Sequence, residues 1–462
     1  MPVNVIAVFD IGKTNKKFLL FDSSLKLIHQ DEQKFTEILD EEGFSCDEIG
    51  KIEIWMKNCV SDVILQNSYI IKALNFTTYG ASLMYIDVMG RALTPVYNYL
   101  KPMPPEVLEG FYESYGGLEE FSRKTASPSL GMLNSGLQAL WLKRKRPEVY
   151  VRVDTVLHFP QYLAFRFTGN KVSEFTSIGC HTAMWDFDNN CYHPWMLKEK
   201  IPVPLPVSNS TTTEVKIDNK NIKIGIGIHD SSASLVPYIK GTMEEFILIS
   251  TGTWCIFMNP FNREPLTTEQ LRKDCLCYLS VNQQQVKSSR LFLGYIHDVN
   301  VERLNAYFGM DASHYKKIGP AAGIVSRILI SKGKRIFFNG TLPPDFIDAS
   351  VDLAHFPSFE EAYHQLVHDM VSLALESLDL IIPSGDKTKV VYVSGGFARN
   401  ELFVRFLATG LPDKKVYTSE IDNATALGAA MVVREEASGG KMPPMDLGLI
   451  PCLPFRESEF QS

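Results

Sequence analysis

No apolar run in the chain approaches the roughly 20 consecutive residues that a membrane-spanning helix needs, so no membrane partner is expected. The first apolar stretch, residues 3–9, is short, has no basic flank and is cut by Asp10, which does not suit a signal peptide. A basic surplus is also missing. Lys and Arg number 46 against 53 Asp and Glu, a net charge of −7, which excludes a bulk nucleic-acid binder. The single basic run, Lys143-Arg144-Lys145-Arg146, comes after an apolar stretch and before Pro147, where cations suit the last turn of a helix. Cysteine is sparse as well. The eight cysteines are scattered rather than framed for disulfides, which suits a reducing, cytoplasmic compartment. Cys275 and Cys277 stand too close together, and His181, Cys191 and His193 lack zinc-finger spacing.

A P-loop is the next absence. Gly12-Lys13-Thr14 resembles the end of one, but its partner glycine would fall at Ala7, inside the apolar run 5–9. Residues 17–21, just after the turn, read as a strand and not as the helix a P-loop feeds. The unit is strand, tight turn, strand. Backbone N–H groups of such a turn can form an anion nest, and Asp10 at the strand end can hold magnesium beside phosphate oxygens. Alternatively, Asp10 merely caps a surface hairpin.

The composition that is present is that of a soluble globular protein, 45% hydrophobic and 21% charged over 462 residues, enough for two domains and a short appendage. Strands continue to residue 36, joined at Asp22-Ser23-Ser24. Ile49, Ile52, Met56, Cys59 and Val63 then mark one face of a helix, and 70–78 reads as a further strand. Half a chain later, EEFILISTGTWCIFMNP repeats the strand, turn, strand pattern with Gly252 and Thr253 in the turn. Two halves of one architecture are expected, each presenting a Gly/Thr turn to a common cleft. Further on, Ser358 and Glu361 signal the start of a long helix. Gly395-Gly396 lie between a strand and a helix, either to let a flat ligand or a phosphate lie on the backbone or for packing alone. Asp422-Asn423 can cap a helix carrying Ala424, Ala426, Gly428, Ala429 and Ala430, small enough for close helix packing. Between the halves, Asp230 either takes a proton from a hydroxyl during phosphoryl transfer or caps the helix that begins near Ser231. The two roles are compatible.

Taken in order, DIGKTNKK (10–17), GIHDSSAS (227–234), STGTW (250–254), SGGFARN (394–400) and ATALGAAM (424–431) resemble the FGGY carbohydrate kinases, with the rhamnulokinase and fuculokinase branches nearest. The resemblance implies an α/β fold of two ribonuclease-H-like domains, as in actin and hexokinase, flanking a nucleotide and sugar cleft. The expected boundaries are 1–236 for the sugar-binding domain and 237–440 for the nucleotide-binding domain, with a tail at 441–462. By motif, Asp10 would bind magnesium and Asp230 would be the general base. Gly12, Lys13, Thr14, Asn15, Lys17, Gly252, Thr253, Gly395, Gly396 and Asn400 would bind ATP. The implied activity is ATP- and Mg2+-dependent phosphorylation of a ketose or related polyol. The rivals are a xylulose or other pentulose kinase and a non-kinase ATPase switch of actin or chaperone type. The expected partner is a small sugar, and a homodimer is the assembly considered. The departures fall where sugar is read. Tyr79-Gly80-Ala81-Ser82 puts serine where family members often carry aspartate, and Leu100-Lys101-Pro102-Met103 lacks the Asp and Arg often found there. Tyr79, Gly80 and Ser82 are therefore candidate sugar contacts, with His181 either supplying the missing one or packing as an ordinary histidine.

Overall fold

The structure, a computed structural model, describes residues 2–331, 334–340, 342–438 and 445–456. Each half of the chain builds a seven-stranded sheet. In the first, Val3–Ile11 pairs antiparallel with Lys16–Asp22, which pairs antiparallel with Leu27–Gln33. On its other side Val3–Ile11 runs parallel to Tyr69–Thr78, which in turn runs parallel to Lys220–Gly225 and to the short Ile228–His229. The second sheet repeats this order. Phe246–Thr251 pairs antiparallel with Cys255–Asn259, and that with Gln285–Leu291. Phe246–Thr251 also runs parallel to Val390–Gly395, which runs parallel to Lys415–Ser419. Two domains therefore flank a cleft, each with a three-strand antiparallel wing and parallel strands beyond it.

Both central strands are buried on both faces, which is why they read as continuous apolar runs. On Val3–Ile11 the side chains alternate between two cores. Val5, Ala7, Phe9 and Ile11 pack under the Ile49–Gln66 helix with Ile52, Met56, Val60 and Val63. Ile6 and Val8 face the other way, against Ala233 and Val236 of the Asp230–Gly241 helix and Ala426, Ala429 and Ala430 of the Ala424–Ser438 helix. In the second sheet Ile247 and Ile249 join the core of the long Phe359–Asp379 helix, while Phe246 and Leu248 turn to Tyr238 and Tyr392.

The two helices at the junction approach to backbone contact. A Cβ on Gly428 would stand 1.9 Å from the Ala233 carbonyl oxygen. The small residues expected to permit close packing do so here, and they bring a late helix back onto the first sheet. Asn75 Nδ2 of that sheet donates to the Ala429 carbonyl at 2.8 Å. Part of the expected tail differs from a loose end. Leu449–Cys452 pairs antiparallel with Lys415–Ser419 and closes that edge of the second sheet. The rest of 441–462 lies outside the described residues apart from 445–448 and 453–456.

Candidate active site

Asp10 sits at the C-terminal end of the central strand and pairs in register with Thr77. Ile228 pairs with the same Thr77 from the other side, so Asp230, two residues on, stands at the same sheet edge. Asp230 opens the Asp230–Gly241 helix, where a carboxylate is favoured by the helix dipole. Burial and the charge of Asp230 push the Asp10 carboxyl up to about 6, while Lys17 pulls the other way. Lys17 is the antiparallel partner of Asp10, and its Nζ reaches Asn423 Oδ1 at 3.2 Å across the junction. The Asp10 carboxylate, an oxygen donor at the strand end beside the Gly12 turn, fits a magnesium ion shared with phosphate oxygens. Among the described residues, no cluster of three or more His, Cys, Asp or Glu could hold a metal by itself.

In the second domain, Gly252, Thr253, Gly396 and Asn400 line one cavity of about 770 Å³ with Gly294, His297 and Arg399. Four residues expected to meet the nucleotide are thus brought together. Gly396 is open toward that space, with nothing near a Cβ placed there. Gly395 differs. It lines a neighbouring cavity, and a Cβ on it would lie 1.8 Å from the Thr251 carbonyl oxygen, so the two strands can approach this closely only because residue 395 is glycine. Asn400 caps the Glu401–Gly410 helix through Phe403 N and donates to Tyr363 Oη at 3.0 Å. On the first domain, Gly12 N donates to Asn15 O at 3.0 Å and closes the expected turn, with Thr14 exposed at its tip.

Lys13 requires a correction. It is not free for phosphate, because its Nζ lies 2.8 Å from Asp47 Oδ2 and 2.6 Å from Glu37 Oε1. Asp47 also holds the buried Lys16 at 3.0 Å and accepts from Tyr79 Oη at 2.7 Å. Tyr79, Gly80 and Ser82 do come together, with His158, Ser177 and His229, but around a recess of only about 10 Å³, room for about one water. His181 is not part of that lining. Its Nδ1 stands 3.5 Å from Cys180 Sγ, and desolvation with the nearby His229 and Arg290 holds the ring neutral, its pKa pushed down to about 3. Lys101, in the departing loop, is a clamp. It is bound to Asp40 at 2.7 Å with its ammonium 4.6 Å from the Trp141 ring.

Residues 5–236 match the N-terminal domain of the FGGY family of carbohydrate kinases, and residues 328–433 match the family's C-terminal domain. The chain belongs to the FGGY family. Among curated relatives, it is 22% identical to a rhamnulokinase of Halalkalibacterium halodurans over 55% of this chain and 56% of that one. It is 25% identical to a rhamnulokinase of Oceanobacillus iheyensis over 39% of each. These matches span about half or less of the relatives' length. Similar folds occur in a carbohydrate kinase from Novosphingobium aromaticivorans, with 24% identity, TM-score 0.76, and coverage of 97% of this chain and 96% of that one. A ligand-bound xylulose kinase from Lactobacillus acidophilus gives 16% identity, TM-score 0.76, and coverage of 99% and 95%.

Several site residues of this FGGY chain carry no sequence signal of their own. Gly294 N donates to Thr253 O at 3.1 Å, and a Cβ there would meet the Gly252 carbonyl oxygen at 2.3 Å, so the second turn depends on it. Arg290 grips Asp274 through Nη2 at 2.5 Å and lies 5.6 Å from the ring of Trp254, the residue after Thr253. His229 and Cys180 meet at 3.0 Å beside Asp230. Of Gly294, Arg290, Cys180 and His229, only His229 belongs to one of the five family motifs.

Proposed function

We propose that the protein is an ATP-dependent kinase that transfers the γ-phosphate to a hydroxyl of a ketose of rhamnulose or fuculose type, or of a related polyol. The carrying observation is the pair Asp10 and Asp230, one ending the central strand of the first sheet and the other opening the helix beside it, near enough that the charge of Asp230 acts on Asp10, with Gly-containing turns at Gly12 and Gly252 in the two domains. In this reading each domain is a ribonuclease-H-like repeat, the first ending near residue 236 and the second near 440. Asp230 accepts the proton of the sugar hydroxyl as its oxygen meets the γ-phosphate. Its side chain remains about one-third exposed, so a substrate can reach it. Asp10 would hold magnesium, which when bound neutralises phosphate charge. Lys17 and the backbone of Gly12, Thr14, Asn15, Gly252 and Thr253 meet the remaining phosphate oxygens, while Gly396 and Asn400 border the base. The acceptor lies at the mouth of the Tyr79–Ser82 recess, since the recess itself is too small for a sugar. Closure of the cleft keeps water from taking the phosphate in the sugar's place.

Support for the rhamnulose type comes from the two curated relatives, both rhamnulokinases, and from the G-x-H-D sequence at 227–230. The test is ADP release against L-rhamnulose, L-fuculose, D-xylulose and glycerol. The expected result is release that depends on a ketose and is fastest with a 6-deoxyketose. Fastest release with D-xylulose would assign the protein to the pentulose kinases instead.

A further inference from the structure

Asp230 presents its two oxygens unequally. Oδ1 accepts from Ser231 N at 2.6 Å and from Ser231 Oγ at 3.3 Å, and lies 3.1 Å from His229 Nε2. Oδ2 has no partner among the described residues. The His229 ring is buried, 4% exposed, and its Nε2 also lies 3.0 Å from Cys180 Sγ, while Nδ1 has no partner. Burial keeps this imidazole neutral, so one ring nitrogen carries a proton and the other does not. A carboxylate only accepts. The proton therefore sits on Nε2, where it serves Asp230 Oδ1, with the sulfur as its second neighbour.

The surroundings fix the ring in that place. His229 ends the short strand beside Thr78, and its N–H donates to Thr176 Oγ1 at 3.0 Å. A Cβ on Gly80 would stand 2.7 Å from His229 Nε2, so the absent side chain at 80 makes room for the ring. Cys180 is held in turn by the second domain. Leu279 N donates to Gly179 O at 3.0 Å, Cys180 bridges to Tyr278, and Ser232 Oγ donates to Leu279 O at 3.1 Å.

We propose that His229 is the positioning residue for Asp230: its Nε2–H, seated between Cys180 Sγ and Asp230 Oδ1, holds that oxygen so that Oδ2 faces the acceptor hydroxyl. Gly80 then serves the imidazole rather than the sugar. The contact of Cys180 with Tyr278 ties the orientation of the carboxylate to the way the two domains meet. This inference rests on Asp230 being the general base.

The test compares two neutral amides in the full-length protein. In His229→Gln the amide nitrogen reaches the Nε2 position, and in His229→Asn it reaches only the Nδ1 position. ATP binding and thermal unfolding are measured first, then kcat and KM with L-rhamnulose, L-fuculose and D-xylulose. The expected result is a loss of about tenfold or more in kcat for Asn and about threefold or less for Gln, with KM for ATP and sugar little changed in both, as misplacement of a reacting group dictates. Equal kcat in the two variants overturns the proposal, as does a loss confined to sugar KM. A folded Gln protein that loses kcat as Asp230→Asn does overturns it alone, even if the Asn protein fails to fold. Wild-type turnover in Asp230→Asn instead refutes the base assignment, and the inference falls with it.

Discussion

His158 is buried at the closed recess with Nε2 unpartnered and Nδ1 3.5 Å from Ser173 Oγ. Desolvation and the nearby His229 push its pKa down to about 3. The unfolded chain takes up a proton there below about 6.5, whereas the folded one refuses it until about 3. Stability from this group is therefore complete above pH 6.5 and is lost as pH falls toward 3. The loss is at most about 1.4 kcal/mol per pH unit for one such group. Thermal midpoints measured from pH 7 to pH 4 should fall less steeply in His158→Gln than in the wild type. Equal slopes would show that this histidine does not set the acid limb. At this scale, Asp10, Asp230, Gly252 and Gly396 stood out through their neighbours in short motifs, and the structure sets Gly252 beside Gly396 and Asp10 near Asp230. The capture of Lys13 by Asp47 and Glu37 was not legible, because those carboxylates arrive through the Ile38–Leu39 and Ser45–Cys46 hairpin, 24 and 34 residues away. The same is true of Cys180, which meets His229 from 49 residues upstream.

Elements were legible wherever one periodicity ruled. The strands at 3–11, 16–22, 69–78 and 246–251 and the helices at 49–66 and 359–379 agree with apolar patterning, and Ser358 accepts from Glu361 N as its capping signal requires. The basic run 143–146 occupies the last turn of a helix and its exit, paired with Glu199, Glu106 and Glu41. Less legible was the turn Gly396–Arg399, a short 3-10 helix between strand and helix, since two glycines fit many turn geometries. The partner of the Ala424–Ser438 helix was also hidden, because small residues announce a close contact without naming what is contacted. Its contact with the Asp230–Gly241 helix gives a direct test. Gly428→Ala drives a methyl group into the Ala233 carbonyl, so the helices must separate. Overpacking of this kind costs about 1–3 kcal/mol. A lower urea midpoint is expected, and an unchanged midpoint would mean that the helices are not held at the observed distance.

Across the whole molecule, the repeated strand order was foreshadowed by the two strand–turn–strand units half a chain apart, although little sequence identity links the halves. The geometry between the domains was not foreshadowed, because it depends on contacts such as Lys17 with Asn423 and Gly179 with Leu279 that join distant segments. These contacts join the two domains that flank the cleft. An ATPase switch would use such a cleft to pass phosphate to water, whereas the proposed kinase passes it to a sugar. The most direct measurement tracks the γ-phosphate itself. The protein is given γ-labelled ATP and magnesium with L-rhamnulose, L-fuculose or D-xylulose, and label is counted in sugar phosphate and in inorganic phosphate. Label appearing mainly in a sugar phosphate ester, and lost from it in Asp230→Asn, is the predicted result. Label released as inorganic phosphate at a rate that no sugar changes would contradict it.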